Sequence, residues 1–192
     1  MNILQKEFYN RSPLEVAVDL LGKIVVRKLD GQIITGRITE TEAYLASSDE
    51  ASHSFKGKTP RTQSLFLDAG HAYIHSMHTQ NCFDIVTESI DVPSSVLIRA
   101  LEPLEGIETM KKLRGKEELK DLTSGPGKLC KALSVTRSLD GIDLTKDNSE
   151  LFIIDDGFVV QSVVKAKRIG ISKAKEHEYR FYIKDNIYVS KK

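Results

Sequence analysis

The chain has 192 residues, of which 28 are Lys or Arg and 27 are Asp or Glu, so its formal net charge is +1. This length predicts one compact domain of ordinary size and leaves too little chain for a second full domain. The balanced charge neither indicates nor excludes a polyanionic partner, since only the local distribution of charge decides that. No apolar run approaches the ~20 residues that span a bilayer, so we expect a soluble protein.

The two cysteines, Cys82 and Cys130, lie far apart in the sequence, and the first ten residues, MNILQKEFYN, lack the basic and apolar regions of a secretory signal. We therefore expect a cytoplasmic protein whose thiols are reduced. Both cysteines fit the role of small buried apolar side chains better than that of metal ligands.

The first quarter of the chain predicts a helix followed by a hairpin. The run from Ser12 to Glu15 has the cap, proline and acid of a helix start, and Gly22 ends that helix. Residues 23–29 alternate as a strand, Asp30 and Gly31 are typical of a tight turn, and residues 32–44 form the second strand.

The remaining chain predicts a mixed α+β domain without internal repeats. Residues 46–60 are small and polar, which favours an irregular segment or short helix lining a pocket. The charged residues 115–122 predict a solvated loop or helix extension, and 123–128 predict a turn before a helix. Further strands are predicted at 71–75, 95–101, 151–154, 159–165 and 180–188, and a further helix at 102–114.

The most informative chemistry lies between Ile38 and His53. Glu40 and Glu42 are two residues apart on a predicted strand, so their side chains share one face. A glutamate on a strand is a surface carboxylate roughly nine times in ten. If the face that Glu40 and Glu42 share is covered, however, they cannot both be ordinary surface carboxylates. With the ring of Tyr44 nearby, the segment indicates a water-activating acid beside a stacking pocket.

A second group of polar residues permits three interpretations. His71, His75 and His78 with Asp84 could form a metal site, although His78 has the opposite strand parity. Alternatively, Met77 and His78 form a hairpin tip that wedges between base pairs. A surface hairpin without a functional role is the third interpretation.

Five collinear motifs resemble the alkyladenine, or 3-methyladenine, DNA glycosylases, in particular their bacterial members. They span nearly the whole chain, and coincidence does not account for five matches in the family's order. The motifs are TETEAYL at 39–45 followed by Asp49, Glu50, Ala51 and His53, RALEPLEG at 99–106, GPGKLCKAL at 125–133, RIGI at 168–171 and RFYIKDNIYVS at 180–190.

This resemblance implies a single glycosylase domain over residues 1–192, with a curved, mainly antiparallel sheet, flanking helices and a protruding hairpin that intercalates into DNA. It implies a monofunctional enzyme, without lyase activity, metal or cofactor, that acts in base excision repair. Such an enzyme flips an alkylated or deaminated purine, of the 3-methyladenine type or hypoxanthine, out of duplex DNA and hydrolyses its N-glycosidic bond. A monomer is expected, because one domain with a wedge can address one lesion.

The resemblance also implies roles for individual residues. Glu42 matches the general base that deprotonates the attacking water, which Arg99 and the backbone carbonyl of Ile169 also hold. Tyr44 and His53 match the residues that sandwich the flipped base. Lys58, Thr59 and Arg137 correspond to positions that contact the DNA backbone. Gly170 corresponds to a glycine that permits close approach of the main chain. Met77 and His78 correspond to the wedge at the hairpin tip.

The sequence departs from the family pattern within residues 73–87, which are one residue shorter and lack its tyrosine-rich hairpin. His75 stands where many members have a second pocket tyrosine. Asp84 replaces an asparagine that crowds the amino group of normal guanine, and a carboxylate there could favour cationic alkylpurines. Two other functions remain open: a non-catalytic nucleic-acid-binding domain of the same fold, and a metal-dependent hydrolase that uses the histidines.

Overall fold

A computed structural model describes residues 2–46, 48–77 and 79–191. Within these ranges the strands form one curled antiparallel sheet in the order β1-β7-β2-β3-β6-β5-β4, to which β9 adds by pairing with β3, and β8 by pairing with β9. The strands are β1 Asn2–Ile3, β2 Ile24–Leu29, β3 Gln32–Tyr44, β4 Ala72–Met77, β5 Gln80–Thr87, β6 Ser94–Glu105, β7 Leu151–Asp155, β8 Val163–Ala166 and β9 Arg180–Ile183.

Short helices flank this sheet, which confirms the predicted single α+β domain with a mainly antiparallel sheet. No helix in the described ranges is long and apolar enough to cross a membrane. The α-helices are α1 Lys6–Tyr9, α2 Pro13–Asp19, α3 Ile107–Arg114, α4 Leu119–Thr123 and α5 Pro126–Ala132, and 3₁₀ turns lie at His53–Lys56, Gln63–Phe66 and Arg137–Leu139.

Two local predictions in the first quarter are confirmed. The Ser12 hydroxyl accepts a hydrogen bond from the Leu14 backbone N–H at 3.3 Å and caps α2. Asp30 and Gly31 have φ angles of 48° and 77°. This left-handed pair matches the turn that joins strands of right-handed twist, and it closes the hairpin between β2 and β3.

The predicted helix over 102–114 is wrong in its first part. β6 continues to Glu105, because Pro103 and Glu105 extend its ladder with β3 opposite Gly36 and Thr35. A register shift between Thr35 and Gly36 lies at this point, which is where a proline is tolerated in a sheet. Gly106, at φ 72°, then turns the chain into α3.

Two predicted strands near the C-terminus are shorter than expected. The strand predicted at 159–165 begins only at Val163, and it ends one residue later than predicted, at Ala166. The 180–188 strand ends at Ile183. Residues 119–123 of the charged segment form the separate helix α4.

The central strand β3 carries the site. It pairs with β6 from Thr35 to Tyr44, while β2 and then β9 occupy its other edge. The β3–β6 register passes from Ile38 opposite Leu101 to Thr41 opposite Ile98, with irregularities on either side of Glu40. These place an unpaired residue on each strand, and on β6 that residue is Arg99.

The main apolar core lies between this sheet and helices α2, α3 and α5. Ile34, Ile38 and Ile98 from the central strands pack in the same cluster as Leu20 and Leu129 from the helices, and all five are fully buried. The core therefore holds β3 and β6 rigidly from one side, which fixes the side chains that they direct toward the site.

Candidate active site

Glu42 is fully buried and is held by three donors. Its Oε1 accepts a hydrogen bond from the Ile169 backbone N–H at 2.8 Å and lies 3.2 Å from Nη1 of Arg99. Its Oε2 accepts from the hydroxyl of Tyr44 at 2.8 Å. The carboxylate is therefore fixed in one orientation by groups from three segments of the chain.

Burial raises the pKa of Glu42 above its ordinary value. The charge of Arg99 and the hydrogen bonds from Ile169 and Tyr44 oppose this shift but do not cancel it. When ionised, a carboxylate with a raised pKa is a stronger base than an ordinary glutamate, which suits general-base chemistry.

Glu40 is equally buried but has a different environment. Its Oε1 accepts from Nε of Arg99 at 3.3 Å and from Nη1 of Arg180 at 2.9 Å. Its Oε2 accepts from the Ser190 backbone N–H at 2.7 Å. Glu40 and Glu42 therefore share one covered face of the sheet, as predicted. Glu40 also anchors Arg99, the arginine that contacts Glu42.

Arg168 is a site residue to which the sequence analysis gave no role. Its guanidinium makes two hydrogen bonds to Asp49, at 2.5 and 2.8 Å, and one to the Ala43 carbonyl at 2.9 Å. It also lies 4.5 Å from the ring centroid of Tyr44, a cation–π contact. Arg168 and Asp49 both stand in quoted motifs, but nothing in their spacing of 119 residues indicates the pair.

A cavity of about 210 Å³ opens beside Tyr44. This is below the ~300–1,000 Å³ of drug-sized pockets and suits a small ligand. Tyr44, His53, His75 and Asp84 all contribute to its wall, as does Gly170. The structure thus brings together the four residues that the sequence assigned to a base pocket.

The cavity wall is aromatic and internally hydrogen-bonded. His53, whose outer side is exposed at the mouth, places its Nδ1 3.1 Å from the Tyr73 hydroxyl, and the Tyr73 and His75 rings stack at 5.0 Å. Partial burial of the His53 ring and the neighbouring His75 lower the pKa of His53, which favours the neutral imidazole. Deeper in the wall, Nε2 of His75 lies 3.0 Å from Oδ2 of Asp84.

The predicted DNA contacts lie outside the buried centre. Lys58 and Thr59 are exposed and do not line the cavity, and the same holds for Arg137, which donates to the Ile74 carbonyl. Gly170 is exposed at the cavity edge with φ 77°. For Ile169, the contact with Glu42 is made by the backbone N–H; the predicted role of its carbonyl stays a prediction.

The hairpin of β4 and β5 borders the cavity. Met77, the last residue of β4, is 45% exposed and contributes to the cavity wall. His78, predicted to be the wedge, lies outside the described residues. In the described ranges no three His, Cys, Asp or Glu side chains are grouped to hold a metal ion. His71 instead places its Nδ1 2.9 Å from the Asp68 carbonyl oxygen.

Comparison with known proteins connects this geometry with a family. Residues 7–187 match the family described as Methylpurine-DNA glycosylase (MPG). A relative from Clostridium perfringens (strain 13 / Type A) is 44% identical, covering 98% of this chain and 99% of its own. One from Methanocella arvoryzae is 45% identical, covering 100% and 98%, and one from Carboxydothermus hydrogenoformans is 43% identical, covering 99% and 100%.

All three relatives are named "Putative 3-methyladenine DNA glycosylase". The family match covers nearly the full chain and includes Glu40, Glu42, Arg99 and Ile169. This chain belongs to the methylpurine-DNA glycosylase family.

Proposed function

We propose that this protein is a monofunctional DNA glycosylase that flips an alkylated or deaminated purine out of duplex DNA and hydrolyses its N-glycosidic bond. The observation that carries the proposal is the buried Glu42, oriented by three donors beside a small aromatic cavity, in a chain of this family. A flipped base would occupy the cavity, which leaves its sugar near the carboxylate.

In the proposed reaction, water attacks C1′ of the sugar while the purine leaves with the electron pair of the glycosidic bond. Glu42 accepts the proton of that water. Because the breaking bond develops positive charge on the sugar, the Glu42 carboxylate also stabilises the transition state electrostatically. We assign the backbone carbonyl of Ile169 and the guanidinium of Arg99 to holding the water.

The cavity supplies the stacking surfaces. Arg168 covers one face of the Tyr44 ring, so the purine would stack on the other face, opposite His53. Stacking of this kind contributes ~1–3 kcal/mol per base. Since stacking is available to any purine, selection among lesions must come from the polar groups of the cavity wall and from the chemistry of the leaving base.

The other predicted DNA contacts complete the proposed interface. Met77 and His78 would form the wedge that fills the gap left by the flipped nucleotide. Lys58, Thr59 and Arg137 would contact phosphates, and Gly170 would let the backbone approach closely. Such contacts make binding salt-dependent and set the register on the duplex, but they do not read sequence.

We further propose that residues 1–192 act as one glycosylase domain, as a cytoplasmic monomer without a cofactor. The assignment to a reducing compartment is supported by Cys82 and Cys130, which are both free and buried. Light scattering with and without duplex DNA would detect a stable dimer, which would contradict the monomer.

The test is incubation with duplexes that contain 3-methyladenine, 7-methylguanine or hypoxanthine, in the presence of a chelator. We expect release of free base and strand breaks only after alkali, with Glu42→Gln protein as the inactive control. Strand breaks without alkali would contradict a monofunctional enzyme. Binding without base release from any lesion would leave a non-catalytic binding domain, and activity that requires metal but survives Glu42→Gln would indicate the metal-dependent hydrolase.

A further inference from the structure

Asp84 places a carboxylate in the cavity wall. Its side chain is 6% exposed. Oδ2 lies 3.0 Å from Nε2 of His75, and Oδ1 accepts from the Ser95 hydroxyl at 3.4 Å. In the part of the chain that the structure describes, no Lys or Arg lies within ion-pairing distance of Asp84.

Other charges around the cavity compensate one another. Glu50 and Lys173 at the rim form a 3.0 Å ion pair, and both side chains are more than half exposed. Glu42 and Glu40 are matched by Arg99 and Arg180 outside the cavity wall. Asp84 is therefore the carboxylate whose field a ligand in the cavity would meet.

The hydrogen bond between His75 and Asp84 indicates which ring nitrogen of His75 is the donor. An ionised carboxylate only accepts hydrogen bonds, so Nε2 of His75 carries a proton. Its Nδ1 is buried and has no partner among the described residues. Buried polar atoms in native proteins are nearly always hydrogen-bonded, so an unpaired nitrogen at this position is unusual. In the neutral imidazole, Nδ1 is an acceptor.

We propose that the His75–Asp84 pair selects the substrate by charge, so that this site binds cationic N-alkylpurines in preference to neutral deaminated purines such as hypoxanthine. The proposal rests on the glycosylase function proposed above. A cavity of about 210 Å³ keeps any bound ring close to Asp84, where one charge pair is attractive even after partial screening.

The pair acts on binding more than on bond breaking. As the glycosidic bond of a cationic purine breaks, its positive charge passes to the sugar and the departing base becomes neutral. The attraction by Asp84 is then stronger in the bound ground state than in the transition state, so it lowers the concentration required for half-maximal rate without raising the maximal rate.

The test compares two duplexes that differ only in the lesion, 7-methylguanine or hypoxanthine. Both bases have an oxygen at position 6, and only the first is cationic in DNA. Single-turnover rates are measured over a range of enzyme concentrations for wild type, Asp84→Asn and Ser95→Ala. Asparagine keeps the shape and an acceptor for His75, while Ser95→Ala removes a hydrogen bond to Asp84 without changing its charge.

We expect Asp84→Asn to raise the half-saturating enzyme concentration for 7-methylguanine about tenfold, the scale of one partly screened charge pair. The maximal rate should stay the same or rise, because the lost attraction is stronger in the ground state than in the transition state. The half-saturating concentration for hypoxanthine stays the same or falls, and Ser95→Ala leaves the ratio unchanged. Urea unfolding checks that Asp84→Asn is folded; Asp84→Ser provides a second neutral variant if it is not.

An equal effect on both lesions would show a purely structural role for Asp84, and an unchanged ratio would show that its charge is not used. Either result overturns the inference while the glycosylase function stands. Absence of excision by wild type on every lesion defeats the proposed function itself and the inference with it.

Discussion

Two parts of the candidate site differ in how completely their polar atoms are bonded. We call them the Glu42 wall, which is Glu42 with Tyr44, Arg99 and Ile169, and the His75–Asp84 wall, which is that pair. Both oxygens of Glu42 have partners within the protein, supplied by β3, β6 and the segment at Ile169. Among the described residues, Asp84 has only His75 and Ser95 as partners, and Nδ1 of His75 has none.

This difference indicates a division of labour within one small site. A carboxylate that is held from three directions keeps the same position whatever base is bound, as the bond-breaking step requires. A pair with unused hydrogen-bonding capacity can respond to the ligand. We therefore expect changes on the Glu42 wall to affect all lesions alike, and a change in the charge of Asp84 to alter the ratio between lesions.

The largest expected effect is that of Glu42→Gln, which keeps the shape and removes the base. Single-turnover excision should fall by ~10² or more for every lesion, because removal of a general base costs about that much. Affinity for lesion-containing duplex, measured by fluorescence anisotropy, should change little. A loss confined to one lesion would contradict the proposed division between the two walls.

The second prediction concerns the support of the Glu42 wall. Glu40→Gln leaves Arg99 and Arg180 buried with one compensating charge fewer, which costs ~3–5 kcal/mol of unfolding free energy. Urea unfolding measures this change. Asp19→Asn is the control, since Asp19 pairs with Arg11 and both side chains are more than a third exposed, so a change of at most ~1 kcal/mol is expected. Similar losses in both variants would show that Glu40 is no special anchor.

The third prediction is a pH dependence that belongs to one wall only. Burial raises the pKa of Glu42 above 4.5, and the base works only when ionised. Single-turnover excision should therefore fall as pH decreases, beginning above the range of an ordinary glutamate and reaching about tenfold per pH unit below the raised pKa. Asp84→Asn should show the same fall in rate at low pH, and Glu42→Gln should not show it. If Asp84→Asn shifted the pH at which the rate begins to fall, the titrating group would belong to the His75–Asp84 wall, which would contradict the prediction.

The smallest expected effect lies at the exposed end of β4. Met77→Ala should weaken binding to lesion-containing duplex several-fold and leave unfolding free energy within about 0.5 kcal/mol, since the side chain is 45% exposed. Ile187→Ala, at a position that is 61% exposed and does not line the cavity, is the control for loss of a surface apolar group. Equal binding by the two variants would remove Met77 from the proposed interface.

Short-range signals in the sequence predicted local structure well. The Ser12 cap of α2 and the turn at Asp30 and Gly31 depend on neighbouring residues and were confirmed. The helix expected from residue 102 was wrong, because pairing with β3 holds Pro103 in a strand. That pairing joins residues more than sixty positions apart, so local propensity does not contain it.

The same limit applies to the site. The strand alternation of Glu40 and Glu42 predicted their common face, and the family motifs indicated which residues meet in the cavity. The partners that distinguish the two glutamates were not predictable, because they come from an irregular register at Arg99 and from Arg180 and Ser190. The pair of Arg168 and Asp49 was missed for a similar reason.

The edge of β3 that β9 occupies has a consequence for synthesis of the protein. Glu42 lies opposite Arg180 in the sheet, and the Ser190 backbone N–H bonds to Glu40. A chain that emerges from the ribosome therefore contains Glu40 and Glu42 long before it contains the groups that complete their surroundings. Under the proposed function, we expect a chain that ends before β9 to be inactive on DNA, because Glu40 then lacks Arg180 and Ser190.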